Sequence, residues 1–145
     1  MKIFIACDHA AYEYKKNLLE YLGEGYDLED LGSDSPDRCH YPDFAIKLSK
    51  KVILENGRGI LLCGTGMGMS IVANRFKGIR AALCRSCDDA RLSREHNNAN
   101  VLCVGSRVTA FSEMVKLVDT WLSVDFAGGR HSERLAIFEG MGQKL

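Results

Sequence analysis

The stretch Gly59-Ile60-Leu61-Leu62-Cys63-Gly64-Thr65-Gly66-Met67-Gly68-Met69-Ser70 decides the fold. It begins as a short apolar run without alternation, the pattern of a strand buried on both faces of a parallel sheet. Glycines at alternate positions, Gly64, Gly66 and Gly68, then let the backbone turn tightly. A short helix is predicted just behind them, over residues 69–76. A strand that passes through a glycine loop into a helix is the first half of a βαβ unit.

Working outward, the same alternation recurs. Four further apolar runs, Lys2–Cys7, Tyr26–Leu31, Arg80–Cys84 and Val101–Val104, read as strands. Between the first two, Tyr14, Leu18 and Leu22 recur every fourth residue beside Lys15, Lys16 and Glu20, an amphipathic helix. Pro42 can open the next helix, whose apolar faces are Phe44, Ile46, Leu48, Val52 and Ile53. Ser86-Cys87-Asp88-Asp89 fits a capping box for a helix running to about His96. Met114, Leu117, Val118, Trp121 and Leu122 form the stripe of another, and a last helix is expected from Arg130 to about Gln143. Residues 1–145 therefore read as one α/β domain. It is doubly wound and Rossmann-like or flavodoxin-like, with a five-stranded parallel sheet and helices on both faces.

Composition narrows the function classes. The chain has 145 residues, 46% hydrophobic and 26% charged, and its nineteen basic and nineteen acidic residues cancel. That balance gives no support for nucleic acid or an anionic membrane as partner, so anion binding must come from a local cluster. No apolar run is long enough to span a membrane, and Asp8-His9 follow the first run too soon for a secretory leader. Six cysteines without a leader point to a reducing, cytoplasmic setting.

In open parallel sheets the site lies beyond the carboxyl ends of the strands. A flavodoxin-like order puts that crevice between strands 1 and 3. Strand 1 ends in Cys7-Asp8-His9, and strand 3 runs into the Cys63–Ser70 loop. The glycines expose backbone N–H groups to an oxyanion, and the following helix adds its positive end. Neither a phosphate loop nor the dinucleotide fingerprint fits the spacing. The alternative for this loop is a tight turn with no ligand.

Cys63, at the start of the loop and near a helix N-terminus, is a candidate thiolate base or nucleophile. Thr65 can relay protons between neighbouring oxygens. Asp8 is either a site carboxylate or the cap of the first helix, and His9 can donate to a phosphate or hydroxyl. His96 lies in the polar run Ser93-Arg94-Glu95-His96-Asn97-Asn98-Ala99-Asn100. Arg107 follows strand 5, while Arg130 and Arg134 share one face of the last helix. Arginines converging on one site suit a phosphate dianion. Cys84-Arg85-Ser86-Cys87 has the spacing of a redox pair, but it follows strand 4 and has no second pair, so redox and structural zinc are both poorly supported.

Taken in order, Asp8-His9, Tyr41-Pro42-Asp43, Cys63-Gly64-Thr65-Gly66-Met67-Gly68, residues 93–101, Gly105-Ser106-Arg107 and Gly128-Gly129-Arg130-His131 resemble the type B ribose-5-phosphate isomerases. Their wider family includes galactose-6-phosphate isomerase subunits. The resemblance implies an aldose–ketose isomerase acting through an enediolate, without metal or other cofactor. Its partner is a phosphorylated sugar. The resemblance also implies a homodimer or a tetramer of dimers, with active sites shared between subunits and the C-terminal helix at the dimer interface.

By matching motifs, Cys63 is the base, Thr65 assists proton transfer, and His96 with Asp8 opens the sugar ring. The backbone of Gly64, Gly66, Met67 and Gly68 holds the enediolate. Asn97 and Tyr41 contact the substrate, and His9, Arg107, Arg130 and Arg134 bind its phosphate. Ribose enzymes of this type commonly carry an acidic residue where this chain has His40. The alternatives are a six-carbon substrate, allose 6-phosphate or galactose 6-phosphate, and a sugar-phosphate-binding module without turnover.

Overall fold

The structure is a computed structural model, and it describes residues 1–144. Five parallel strands form one sheet: β1 (Lys2–Cys7), β2 (Asp27–Asp30), β3 (Arg58–Cys63), β4 (Ala81–Leu83) and β5 (Val101–Gly105). The helices are α1 (Tyr12–Leu22), α2 (Tyr41–Glu55), α3 (Met67–Ala73), α4 (Cys87–Asn97), α5 (Phe111–Ser123) and α6 (Arg130–Phe138). A single helical turn, His9–Ala11, precedes α1.

The strand order is β2-β1-β3-β5-β4, so the flavodoxin-like order is corrected in its last two strands. Burial explains the exchange. All five residues of β5 are buried, whereas the three of β4 are only half-buried, as befits an edge. The chain therefore passes β5's place, lays down a short edge strand, and returns inward. Asn74 protects that edge, its side-chain amide bonding both the N–H and the carbonyl of Ala81 at 2.8 Å.

The strand side chains alternate between two cores. Ile3, Ile5, Cys7, Ile60, Leu62, Leu102 and Val104 face α1, α4 and α5 around Trp121. Phe4, Ala6, Leu61, Cys63, Val101 and Cys103 face α2 and α3. Helices thus lie on both faces, and β3 is the strand where the winding changes. Its chain leaves toward α3, while both neighbours, β1 and β5, send theirs to the opposite face. The carboxyl end of β3 is flanked by a crevice on each side, which is where ligands enter such sheets.

Two predicted helices have other bounds. The third helix starts at Met67 rather than Met69 and ends at Ala73, because Gly66 at φ +76° caps it earlier. The last helix stops at Phe138, short of Gln143. Gly142 adopts φ +107° and turns the chain back, so that Gln143 bonds Arg75 and Lys77 beyond the end of α3. No helix among the described residues is long and apolar enough to cross a membrane.

Candidate active site

At the carboxyl end of β3, Cys63 is buried, and its Sγ accepts the Gly66 N–H at 3.1 Å. The sulfur is thereby oriented toward the loop at the N-terminus of α3. The first amides of that helix have no carbonyl partner within it. Thr65 Oγ1 accepts the Met67 N–H at 3.4 Å.

The cradle depends on backbone close approach. A Cβ on Gly105 would fall 2.5 Å from the Thr65 carbonyl carbon, so only glycine there lets the loop rest on β5. A Cβ on Gly68 would lie 2.6 Å from Cζ of Tyr41, so the tyrosine ring lies against the loop. Arg107 donates its N–H to Gly64 O at 2.9 Å, and its guanidinium lies against Gly64. Ser106 Oγ bonds Ala10 O at 2.8 Å and Cys63 O at 3.3 Å, tying the ends of β1, β3 and β5 together.

Asp8 is buried and does cap the turn after β1, accepting the Ala10 N–H at 2.9 Å. His9 Nδ1 accepts the Cys39 N–H at 3.4 Å. That bond leaves Nε2 as the nitrogen carrying the proton in the neutral ring, free to donate. Two lysines hold the segment that leads to Cys39. Buried Lys15 bonds Asp30 and Ser33 O, and Lys47 bonds Leu31 O. The chain thus brings Asp8, His9, Tyr41, Cys63, Thr65, Arg107 and the backbone of Gly64, Gly66, Met67 and Gly68 to one end of the sheet.

The remaining residues lie elsewhere. His96 and Asn97 end α4, beside the starts of β3, β4 and β5, and α6 packs against them. With β3 six residues long, the two ends are separated by roughly 15–20 Å at about 3.3 Å per residue. A single chain therefore does not bring His96 beside Asp8, nor Arg107 beside Arg130 and Arg134. The arginine cluster expected at one site is divided between the two ends. A cavity of about 410 Å³ also lies at this amino end, bordered by Asn97, Arg80, Phe138 and Met141.

Much of the polar run before β5 turns out to be structural. Asn98 adopts φ 45° as the C-cap of α4, and Asn100 bonds the Arg80 N–H and Gly78 O. Arg94, which the motif alone assigns no role, is buried. It bonds Ala99 O at 2.6 Å, Asn98 Oδ1 at 2.9 Å and Val124 O at 3.2 Å, with Trp121 beneath it. Burial lowers its proton affinity, and Arg58 adds to the fall. No local signal separates it from a solvated helical arginine, since its burial depends on Trp121 from another helix.

Cys84 and Cys87 are free thiols, the first buried and the second exposed. Burial pushes the Cys84 thiol up to about 12. Among the described residues no group of three or more His, Cys, Asp or Glu is arranged to hold a metal ion.

The family model for Ribose/Galactose Isomerase matches residues 3–138. The chain belongs to the ribose/galactose isomerase family. Within that family it is 41% identical to the ribose-5-phosphate isomerase B of Escherichia coli K12, over 99% of this chain and 97% of that one. The ribose 5-phosphate isomerase structure from Thermotoga maritima superposes with a TM-score of 0.91 at 50% identity, covering 95% of this chain and 97% of the other. The Mycoplasma genitalium ribose-5-phosphate isomerase B, solved with bound ribulose-5-phosphate, matches with a TM-score of 0.92 at 43% identity, covering 95% and 93%.

Proposed function

We propose that this chain interconverts ribose 5-phosphate and ribulose 5-phosphate, each active site being completed by a second copy of the chain. The observation that carries the chemistry is the placement of Cys63. Its sulfur opens the glycine loop at a helix N-terminus and accepts the Gly66 N–H, while Thr65 Oγ1, two residues on, accepts the Met67 N–H.

In this reading the Cys63 thiolate removes the proton from carbon 2 of the open-chain aldose. The freed electron pair forms the carbon 1–carbon 2 double bond, and charge develops on oxygen 1. Amides of residues 64–68 stabilise that oxyanion, which is where such donors are worth most. Thr65 relays the hydroxyl proton from oxygen 2 to oxygen 1, and Cys63 returns its proton to carbon 1, which yields the ketose. His96 opens the furanose by giving a proton to the ring oxygen, with Asp8 taking the hydroxyl proton. Asn97 and Tyr41 hold the sugar. His9 and Arg107 from one subunit, with Arg130 and Arg134 from the other, hold the phosphate.

The divided site supports the dimer. Each half adjoins exposed apolar surface, Met67 and Ile71 beside the glycine loop and Ile137, Phe138 and Met141 beyond the arginines. Pairing two copies joins unlike halves twice and covers both surfaces. The setting proposed for the enzyme is the cytoplasm.

The test is turnover of ribose 5-phosphate and of allose 6-phosphate by chelator-treated protein, followed by proton NMR in heavy water. Cys63→Ala is expected to lose at least about a thousandfold in kcat, as befits removal of the base. Mixing Cys63→Ala with Arg130→Ala should restore about a quarter of wild-type activity, since half the dimers are hybrids with one intact site each. No recovery despite subunit exchange would refute a site built across the interface. Faster turnover of the six-carbon sugar would reassign the substrate.

A further inference from the structure

His96 and His131 lie face to face, their ring centroids 4.3 Å apart and their planes inclined by only 11°. His131 is the buried residue of α6, a helix that is otherwise mostly exposed. The stack is therefore a principal seat of α6 on α4.

The two rings meet opposite helix ends. His96 is in the last turn of α4, whose negative end favours an imidazolium. His131 is the second residue of α6, whose positive end disfavours one. Burial lowers the proton affinity of His131 first, and His96 across the stack, Arg130 and Arg134 each lower it further. Two of the neighbouring carboxylates are occupied elsewhere, and Glu133, in the first turn of α6, is exposed. Glu95 is engaged by Arg91 at 2.7 Å, and the field of Asp125 falls on Arg58 and Arg94.

We infer that His131 is a positioning residue for His96: its neutral ring fixes the His96 imidazole in place and leaves the pair's single proton on His96. The inference rests on the reading of His96 as the group that opens the sugar ring. A neutral ring beneath an imidazolium presents an aromatic face to a cation. Two imidazolium rings at this spacing would repel instead. The stack thus holds one ring angle and one protonation pattern, and a displaced ring costs up to about a hundredfold in rate.

The experiment titrates the histidine rings of the ligand-free wild-type protein by NMR. The chain has only four, His9, His40, His96 and His131, each assigned by single replacement. On acidification, the first proton taken by the pair is expected on His96, with His131 following at lower pH. His131→Ala should lower kcat ten- to a hundredfold with KM within about twofold, and His131→Phe, which keeps a flat neutral ring, should restore most of it. Protonation of His131 first, or full kcat in His131→Ala, would overturn the inference. Absence of sugar-phosphate turnover in the wild type would instead defeat the isomerase reading, leaving the order of protonation measurable on its own.

Discussion

The two ends of the sheet hold their candidate site residues by different means. At the carboxyl end the backbone does the work. Strand register puts Cys63 opposite Gly105 and Cys7 opposite Leu62, glycine close approach sets the loop, and Ser106 ties three strands together. At the amino end Asn97, Arg130 and Arg134 are exposed, and what holds them is the turn after α4, the stacked histidines and Arg94. The first half is rigid because displacing it breaks a sheet. The second is a surface, where exposed arginines lie next to exposed Ile137, Phe138 and Met141.

The comparison can be broken most severely at Gly105. A methyl group there would collide with the Thr65 backbone, so Gly105→Ala should lower kcat by more than about a hundredfold. Far-UV circular dichroism should remain unchanged. A milder and opposite signature is expected of Arg94→Met. It leaves the carbonyls of Ala99 and Val124 and the Asn98 amide oxygen without their donor. It should cost about 1–3 kcal/mol of stability in urea unfolding. KM should rise about tenfold through the arginines seated on that end. The rate at which Cys63 is alkylated, resolved by peptide mass spectrometry, should not change. An altered alkylation rate would mean that the two halves are coupled within one chain.

The smallest effect is on pH dependence. In the folded chain His131 is held below the ordinary imidazole range, so on acidification the unfolded chain takes up that proton first. The contribution to stability is therefore complete above about pH 6.5 and declines as the pH falls below it. In Tm measured between pH 7.5 and 5.5, His131→Phe should lose less than the wild type does.

Particular residues show how far the sequence could be read. The uninterrupted apolar runs marked β1, β3 and β5 because a strand buried on both faces carries few polar residues, whereas β2, Asp27–Asp30, is a polar, partly exposed edge. The alternate glycines marked the loop, though only Gly66 turns through a positive φ, while Gly64 and Gly68 leave room for Arg107 and Tyr41. Asp8 reads as cap or as site carboxylate; its Oδ1 caps the helical turn after β1 at the same end of the sheet as Cys63, so the capping bond does not set the two readings against each other. The exchange of β4 and β5 was not legible, since Arg80–Cys84 and Val101–Val104 are both short and apolar, and only packing decides which takes the edge. Arg94 was hidden for a similar reason. A helical arginine is ordinarily solvated, and its burial depends on Trp121 arriving from another helix.

By itself, then, the amino-acid sequence determined the α/β class, the strand-loop-helix element that presents Cys63 and Thr65, and the inventory of basic residues. These are local properties, set by side-chain periodicity and by backbone freedom over a few neighbouring residues. Only the tertiary structure decided the strand order and the division of the basic residues between two ends of the sheet. It alone stacked His131 on His96. Those relations join residues tens of positions apart, and their free energy comes from packing and electrostatics in three dimensions, which no short window of sequence contains.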